Sequence, residues 1–238
     1  MNILRKNTER QHIRSGTGEM WCTFYPSGNP DTAIDDFGCI AILNEYMLPP
    51  NGNILSDLTH GTELITYVYN GAVSLEGPEA EAAVITAGGF QYMTVFRGHR
   101  QRITNTSHTD PARVLSLHLL IPPAQPDGNR INVQTRFTTA QRHNVLCTVA
   151  SQDTEKESLC LTTHACVYSS ILDPGHHIVY ELQQRRKVWL HIINGKVIVN
   201  NVDLTGGDGI GISDDSSISL TAKENTELLL IDTLENCR

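Results

Sequence analysis

The feature that most constrains the fold of this chain is a series of short β-branched segments separated by Gly, Pro, Asn and Asp. Such segments, bounded by turn-forming residues, are typical of strands in antiparallel β proteins. No long stretch sustains the apolar period of a helix. The sequence therefore predicts an all-β sandwich or barrel, with strands at Phe37–Leu43, Glu63–Tyr69, Val114–Ile121, Val188–Ile193 and Glu227–Ile231.

Two Asn-Gly pairs lie between apolar, strand-like runs, at Asn70–Gly71 and at Asn194–Gly195. Asn-Gly is the preferred sequence of a two-residue type I′ turn, so we expect a β-hairpin at each pair. A Gly-rich step follows each one, at Ala87–Gly89 in the first half of the chain and at Gly206–Gly209 in the second. The repeated order indicates two similar barrels in tandem.

The segment Pro122–Gly128 (PPAQPDG) is the richest Pro/Gly stretch in the middle of the chain. Such segments end strands and mark exposed connections between domains. A chain of 238 residues is long enough for two modest domains, because single domains typically have about 100 to 200 residues. We therefore predict two domains, residues 1–125 and 126–238.

The composition disfavours several classes of partner. A net charge of −8 and a pI near 5.6 argue against a phosphate-binding surface, because nucleic-acid binding depends on basic residues that displace counterions. The one basic cluster, Arg185–Lys187, is short. No apolar run approaches the roughly 20 residues of a membrane-spanning helix, and the polar start of the chain does not resemble a secretion signal. We expect a cytoplasmic protein without direct contact to nucleic acid or membrane.

The six cysteines are scattered, without a Cys-x-x-Cys pair that would indicate a zinc site or a disulfide framework. We interpret them as reduced thiols, with Cys39 and Cys166 buried among strand residues. A thiol senses oxidants only where it is exposed and has a low pKa, which a sequence alone does not establish. A redox-sensing role therefore stays open at this point.

Five segments carry a resemblance to a known family. The first half of the chain contains ELITYVYNG at Glu63–Gly71, QYMT at Gln91–Thr94 and LHLLIPP at Leu117–Pro123. The second half contains VWLHIING at Val188–Gly195 and LLLID at Leu228–Asp232. Taken in this order, the segments resemble the pirins, a bicupin family of the cupin superfamily. The resemblance covers most of the chain and implies two tandem cupin, jelly-roll-like β-barrels packed face to face.

The resemblance also implies a metal site in the first barrel. Pirins typically hold a metal, usually iron, through a His-x-His pair ahead of the segment that begins at Glu63 and a His-x-Glu pair further on. Imidazoles and a carboxylate hold such a metal while leaving positions open for substrate or dioxygen. In this sequence the first pair falls on Asp57 and Thr59, and the second on Gln101 and Ile103, so none of the imidazoles is present. We expect no cofactor.

We therefore predict a degenerate, metal-free ligand pocket in the first barrel, lined by Asp57, Thr59, Glu63, Met93, His99 and Gln101. A rearranged site is the alternative, because His60 and His99 lie one and two residues from expected ligand positions and a β-bulge could turn them inward. Such a site would bind iron or another divalent transition metal through Asp57, His60, His99 and Gln101.

The second barrel carries His176, His177, Glu181 and His191, a set that is superficially similar to a cupin metal cluster. Adjacent residues on an extended segment point to opposite faces, so His176 and His177 cannot both reach one metal ion. The resemblance adds that the C-terminal barrel of pirins is usually metal-free. We predict no metal in this barrel.

Three hypotheses for the function follow. The first is a non-catalytic pirin-like protein whose degenerate pocket binds a small molecule or a protein partner. The second is a metal-dependent oxidoreductase similar to quercetin 2,3-dioxygenase, an activity that the resemblance implies for some bacterial pirins. The third is a redox-sensing or transcription-coregulator role, which at this acidic charge would act through a protein. The missing imidazoles favour the first hypothesis.

Overall fold

The computed structural model describes residues 2–24, 37–77, 80–96, 98–122, 131–153 and 158–235. These described residues form 22 β-strands, a 3-10 helix (Asn7–Glu9) and one short α-helix, α1 (Thr139–Arg142), so the predicted all-β class is confirmed. No helix among them has the length and apolar character needed to span a lipid bilayer. The strands before α1 are β1 (Ile3–Arg5), β2 (Gln11–Ser15), β3 (Gly18–Phe24), β4 (Ile40–Leu48), β5 (Asn53–Leu58), β6 (Thr62–Asn70), β7 (Ala72–Gly77), β8 (Ala80–Thr86), β9 (Gly89–Val95), β10 (His99–Asn105), β11 (Ala112–Leu120) and β12 (Asn132–Arg136). The strands after α1 are β13 (Cys147–Ser151), β14 (Leu159–Cys160), β15 (Ala165–Leu172), β16 (His177–Glu181), β17 (Arg186–Asn194), β18 (Lys196–Val199), β19 (Val202–Thr205), β20 (Gly209–Ile212), β21 (Ser217–Ala222) and β22 (Thr226–Leu234).

The strands belong to two compact units. The N-terminal unit comprises the described residues within Gln11–Asp35 and Ile40–Phe137, and the C-terminal unit comprises those within Met1–Arg10, Asp36–Cys39 and Thr138–Arg238. The start of the chain belongs to the C-terminal unit because β1 pairs with β20. The division at residues 125 and 126 stays a prediction.

Each unit is a jelly-roll-like barrel of one seven-stranded and one four-stranded sheet. The orders are β12-β9-β6-β11-β4-β3-β2 with β5-β10-β7-β8, and β1-β20-β17-β22-β15-β13-β14 with β16-β21-β18-β19. Adding eleven to each strand number converts β9-β6-β11-β4 into β20-β17-β22-β15, and converts one small sheet into the other. The topology therefore contains the internal duplication that the Asn-Gly pairs and Gly-rich steps indicated.

The Asn-Gly pairs do not form the predicted hairpins. β6 pairs with β9 and β11, whereas β7 pairs with β8 and β10, so the chain changes sheet at Asn70–Gly71. Asn194–Gly195 makes the same change between β17 and β18. In each pair only the glycine has a positive φ, whereas a type I′ turn requires two such residues. Two successive positive φ angles occur at Asn200–Asn201, which joins the paired strands β18 and β19.

The Gly-rich steps are equivalent in the two barrels. The amide of Gly88 donates to the carbonyl oxygen of Val68 at 2.9 Å, and the amide of Gly207 donates to that of Ile192 at 2.7 Å. Each acceptor lies three residues before the glycine of the preceding Asn-Gly pair. Both barrels therefore return to the large sheet through the same backbone contact.

The two barrels differ in their interiors. An uninterrupted aliphatic cluster, with Val188, Leu190 and Ile192 of β17 among its members, fills the C-terminal barrel. In the described part of the N-terminal barrel, the apolar interior divides into two separate clusters. The larger includes Tyr46, Leu48, Val68, Val73, Leu75, Ile85, Ile103, Ala112 and Val114, and the smaller consists of Leu58, Leu64, Met93 and Val95.

Candidate functional site

Polar side chains lie between the two apolar clusters of the N-terminal barrel. On β6, Thr66 alternates with Leu64 and Val68, which belong to one cluster each, so Thr66 faces the same interior. In the large sheet, Thr66 lies between Gln91 of β9 and Ser116 of β11, and Ser116 in turn lies opposite Asn44 of β4. In the small sheet, Ser56 of β5 lies opposite Gln101 of β10. We call these side chains the polar layer: Asn44, Ser56, Thr66, Gln91, Gln101 and Ser116.

Tyr46 reaches into the polar layer and joins its two sheets. The Tyr46 hydroxyl lies 3.0 Å from Oγ of Ser56 on the small sheet, and it accepts a hydrogen bond from Nδ2 of Asn44 at 3.4 Å. Burial raises the pKa of Tyr46, so the phenol is neutral at physiological pH. This part of the layer is an uncharged hydrogen-bond network.

Three oxygen atoms of the polar layer have no hydrogen-bond partner among the described residues: Oδ1 of Asn44, Oγ1 of Thr66 and Oε1 of Gln91. The amide nitrogens of Asn44 and Gln91 do have partners. Nδ2 of Asn44 donates to the Tyr46 hydroxyl, and Nε2 of Gln91 donates to Oδ1 of Asn132 at 2.9 Å. A buried polar atom without a partner costs about 1 to 3 kcal/mol. Such a row therefore marks a place where a water molecule or a ligand donates hydrogen bonds.

His118 is an interior residue that the sequence analysis missed. It lies on β11 two residues beyond Ser116, is 1% exposed, and has its Nδ1 3.5 Å from Oγ1 of Thr62. Burial lowers the pKa of His118 to about 4, so its imidazole is neutral at pH 7. Strand alternation would have found it, because His118 shares a face of β11 with Val114 and Ser116.

Asp57 does not line the barrel interior. Its side chain is 82% exposed and pairs with Arg100 on the outer face of the small sheet, at 2.9 Å. The inward, buried residues of β5 are Ser56 and Leu58. Aligning the sequence with the pirin ligand pair therefore placed the expected ligand on the outer face of β5. Asp57 is one residue from both Ser56 and Leu58, and a shift of one residue moves a side chain to the opposite face of a strand.

The structure does not bring together the alternative metal cluster of Asp57, His60, His99 and Gln101. Gln101 is buried in the interior, whereas Asp57 faces solvent. His60 is exposed in the turn after β5, and Thr59 is partly buried beside it. The backbone of His99 belongs to β10, but its side chain lies outside the described part of the structure.

Glu63 and Met93 lie on opposite faces of the large sheet. Met93 belongs to the smaller apolar cluster inside the barrel. Glu63 precedes Leu64 and is fully buried on the outer face, where the Tyr92 hydroxyl donates to its Oε1 at 2.5 Å. Of the six predicted pocket residues, Met93 and Gln101 therefore face the interior, while Asp57 and Glu63 do not.

The interior of the N-terminal barrel does not suit a divalent transition metal. The inward residues of the strands expected to carry the ligand pairs are Ser56 and Leu58 on β5, and Gln101 and Ile103 on β10. They present a hydroxyl, an amide and two hydrocarbon groups, whereas such metals are held by imidazoles and carboxylates. Within the described ranges, no group of three or more His, Cys, Asp or Glu side chains is arranged to bind a metal ion.

The histidines of the C-terminal barrel also point away from one another. His177 and Glu181 are exposed on β16, and Nδ1 of His177 lies 2.9 Å from Oγ1 of Thr221. His191 is buried, but it alternates with Leu190, whose side chain fills the barrel, so it faces the other side of the sheet. Neighbouring strand residues face opposite ways, so these side chains do not come together.

An ion pair lies at one end of the aliphatic interior of the C-terminal barrel. Nε of Arg186 lies 2.5 Å from Oδ1 of Asp232, and the Tyr180 hydroxyl donates to the other oxygen of this carboxylate. Burial raises the pKa of the nearby Cys166 thiol. These charges compensate each other, so the cluster has a structural role.

A polar groove of about 930 Å³ lies on the surface of the C-terminal unit. Its groups already bond one another: Nδ2 of Asn200 donates to Asp215 at 2.9 Å, and Oδ1 of Asn200 accepts from the amide of Ser219 at 2.8 Å. The groove therefore contrasts with the polar layer, whose unpaired oxygens are buried. The N-terminal interior is the stronger candidate site.

Comparison with known proteins shows which proteins this chain resembles. A family model described as the quercetinase C-terminal cupin domain matches residues 148–233. The chain is 28% identical to quercetin 2,3-dioxygenase of Escherichia coli (strain K12), over 98% of each protein. It is also 28% identical to the pirin-like protein of Caulobacter vibrioides, over 83% of this chain and 84% of that protein.

Solved structures show the same similarity. The crystal structure of YhhW from Escherichia coli matches with a TM-score of 0.87 at 26% identity, covering 98% of this chain and 97% of that chain. The bacterial pirin YhhW in complex with nickel(II) matches with a TM-score of 0.86 at 26% identity, covering 98% and 99%. Along nearly its whole sequence, and in its fold, this chain is therefore similar to the bacterial pirins.

Proposed function

We propose that this chain is a non-catalytic pirin-like bicupin protein whose N-terminal barrel binds a small molecule without a metal ion. The polar layer carries this proposal. It is a row of uncharged hydroxyl and amide side chains, buried except for the partly buried Asn44, and three of its oxygens are buried without partners among the described residues. Because such a row destabilises a barrel unless something satisfies it, its presence in an otherwise apolar interior supports a binding role.

The depth of the polar layer favours a small molecule over a protein partner. Ser56, Thr66, Gln91, Gln101 and Ser116 are each at most 5% exposed. A protein surface cannot reach groups at this depth, whereas small ligands commonly bind within barrels and their mouths. The ligand would therefore bind between the two sheets of the N-terminal unit.

Quercetin 2,3-dioxygenase activity is the second candidate, because relatives carry that name and YhhW has been solved with nickel(II). In metal-dependent oxidation of this kind, the ion binds and polarises the substrate oxygen. Ser56, Leu58, Gln101 and Ile103 supply no imidazole or carboxylate for such an ion. The name of the relatives therefore supports this candidate, and the donor set of this chain counts against it.

The thiols give little support to a redox-sensing role. Cys22 and Cys39 are buried, and burial raises the pKa of the Cys166 thiol, which lowers its reactivity. Among the cysteines that the structure describes, Cys160 is the exposed one. Thiol titration before and after mild oxidant would test this alternative directly.

Metal analysis and a turnover assay distinguish the first two candidates. We expect the purified protein, also after incubation with iron(II) or nickel(II), to hold far less than one transition-metal ion per chain. We also expect no oxygen-dependent consumption of quercetin under conditions in which the Escherichia coli quercetin 2,3-dioxygenase is active. A stoichiometric metal together with turnover would contradict the proposed function.

Restoring the missing donors would test the interior geometry. The variant S56H/L58H/Q101H/I103E places three imidazoles and one carboxylate at inward positions, so we expect it to bind nickel(II). At a nickel concentration one hundred times Kd, binding should raise the free energy of unfolding by about 2.7 kcal/mol. Calorimetric titration and denaturant unfolding with and without nickel measure both effects.

The matched control carries the same four residue types, but its first pair of imidazoles is moved by one residue along the chain. In D57H/T59H/Q101H/I103E, the first imidazole replaces an exposed side chain on the outer face of β5. We expect this variant to bind nickel(II) about 100-fold more weakly, because the loss of a group around a metal site commonly lowers the affinity by about 10- to 100-fold. Tighter binding by the control would show that Ser56 and Leu58 are not the inward pair.

A further inference from the structure

We infer that the ligand of the polar layer is a small, uncharged molecule that donates hydrogen bonds, such as a carboxamide or a polyol. This inference rests on the proposed function and adds the chemical class of the ligand. It follows from the hydrogen-bond direction of the unpaired atoms, from the absence of charge among the layer's side chains, and from the size of those side chains.

The unpaired atoms of the layer accept hydrogen bonds. Oδ1 of Asn44 and Oε1 of Gln91 are carbonyl oxygens, which accept and cannot donate. The amide nitrogens of both residues already donate, to Tyr46 and Asn132 respectively. The remaining atom, Oγ1 of Thr66, can do either. A complementary ligand must therefore present N–H or O–H groups.

The six layer side chains contain no ionisable group. Among the described side chains beside the layer, Cys22, Tyr46 and His118 are titratable, and the phenol of Tyr46 and the imidazole of His118 are neutral at pH 7. The carboxylates of Asp57 and Glu63 lie on other faces of the two sheets. An ionic ligand would lose its hydration without gaining an opposite charge, which disfavours both anions and cations.

The C-terminal barrel supplies a reference for the space available. In the centre of the large sheet, Thr66 of β6 lies opposite Ser116 of β11. Leu190 of β17 lies opposite Leu230 of β22 in the equivalent strands of the C-terminal barrel. Thr66 therefore aligns with Leu190, and Ser116 aligns with Leu230. The same registers align the other layer positions with larger side chains, namely Tyr168 at Asn44, Ile210 at Gln91, Tyr180 at Ser56 and Ile218 at Gln101.

Two aligned positions run the other way. Tyr46 stands where the C-terminal barrel has Ser170, so its ring occupies part of the space that the smaller side chains leave. His118, beside the layer, stands where that barrel has Asp232. Six positions carry smaller groups and these two carry larger groups. Because protein interiors are otherwise filled to near-crystalline density, the difference leaves room for a small ligand.

Two probes of the same shape and different charge test the inference. Benzamide is neutral and donates through its amide, whereas benzoate is an anion at pH 7 and only accepts. We expect benzamide to bind the wild-type protein with a Kd at least about tenfold lower than that of benzoate, because burial of an unpaired charge is the more costly change. Calorimetric titration and chemical-shift perturbation measure the two affinities.

Thr66→Val removes one unpaired hydroxyl from the layer without changing the shape of the side chain. The apo variant should melt about 2 to 4 °C higher, since a buried group without a partner is lost. Its affinity for benzamide should fall about tenfold, the effect of one lost hydrogen bond. A loss of binding in a more stable protein cannot come from misfolding.

Ser170→Ala is the matched control in the C-terminal barrel. Oγ of Ser170 is also buried and without a partner in the described residues, so its removal should raise the melting temperature similarly. We expect this control to bind benzamide as the wild type does, because Ser170 lies in the other barrel.

Three results would overturn the inference: benzoate binding as tightly as benzamide, unchanged benzamide affinity in Thr66→Val, or no binding of benzamide at millimolar concentration. Each would leave the metal-free, non-catalytic function standing if metal and turnover remain absent. Conversely, a stoichiometric metal with quercetin turnover would remove the proposed function itself. The two failures are therefore distinguishable.

Discussion

At the level of the polar layer, the two barrels of this protein have the same strand pairing but different side chains. Where the N-terminal barrel carries Thr66 and Ser116, the C-terminal barrel carries Leu190 and Leu230, in the same register between the same pair of strands. The C-terminal layer joins a continuous aliphatic cluster, whereas the N-terminal layer separates two apolar clusters. The fold therefore tolerates a polar interior in one copy while the other copy keeps a dense apolar core.

This difference indicates a division of roles. Burial of apolar side chains stabilises a barrel, and each unpaired polar oxygen subtracts from that stability. The polar layer has three such oxygens among the described residues, whereas the C-terminal barrel has leucines at the positions of Thr66 and Ser116. Equivalent substitutions in the two barrels should therefore have unequal effects.

The largest difference is expected for the pair Leu230→Ser and Ser116→Ala. Leu230 is fully buried in the aliphatic cluster, so its loss leaves a cavity and a buried hydroxyl and should lower the free energy of unfolding by about 4 kcal/mol. Ser116→Ala should change it by about 1 kcal/mol or less. Denaturant unfolding followed by fluorescence and circular dichroism measures both.

Leu230→Met serves as the control, because a swap that conserves volume should cost less than about 1.5 kcal/mol. Equal costs for Leu230→Ser and Ser116→Ala would break the comparison, since the polar layer would then hold its barrel together as strongly as the aliphatic core does.

The residue at the position of His118 differs between the two barrels, and His118 should make the free energy of unfolding depend on pH. Asp232 stands at this position in the C-terminal barrel, opposite Val188 as His118 is opposite Leu64. Burial lowers the pKa of His118 from 6.5 to about 4. The unfolded chain therefore binds a proton that the folded chain excludes, and stability should fall as the pH drops from about 6.5 to about 4, by up to about 3 kcal/mol.

The variant His118→Asn should lose this part of the pH dependence, because it has no proton to bind. Unfolding free energies measured at several pH values between 4 and 7 test this expectation. His177→Asn, a change at an exposed histidine, should keep the wild-type slope. The same slope in His118→Asn would mean that this imidazole is not excluded from protonation.

The smallest difference concerns the two sheet-changing corners. Both Gly71 and Gly195 have positive φ, at +74° and +84°. A Cβ at Gly195 would lie 2.2 Å from the carbonyl oxygen of Asn225, whereas a Cβ at Gly71 would lie 3.0 Å from Cα of Ala112. We expect Gly195→Ala to cost about 3 kcal/mol and Gly71→Ala about 1 to 2 kcal/mol, since the latter adds mainly backbone strain.

Thermal and denaturant unfolding of the two alanine variants measure these costs. Asn70→Ala is a useful reference, because its φ is not positive and any residue can adopt it. A larger cost at Gly71 than at Gly195 would contradict the tighter fit that the structure shows at the second corner.

Several conclusions were available from the sequence because they depend on local composition and on ordered motifs. The β-branched runs predicted strands, and three of the five predicted runs lie within single strands of the structure, while Phe37 precedes the start of β4 and Ile121 follows the end of β11. The Asn-Gly pairs and Gly-rich steps predicted the duplication, and the ordered segments predicted the pirin family. The lack of imidazoles at the expected ligand pairs required only counting.

Other features were decided by tertiary structure, because they depend on which strands pair and which face is enclosed. An Asn-Gly pair looks the same whether its strands pair with each other or join different sheets, so the two hairpin predictions were wrong. The inward face of β5 is set by its pairing with β10, and this pairing turns Asp57 outward and Ser56 inward.

The sequence by itself determined the strands, the tandem duplication and the absence of imidazoles where the resemblance to pirins implies metal donors, because these follow from residue type and order. Only the tertiary structure revealed the burial that lowers the pKa of His118 and the unpaired oxygens of the polar layer. Their properties come from burial beside strands distant in sequence, which removes water from a polar group without changing the group itself.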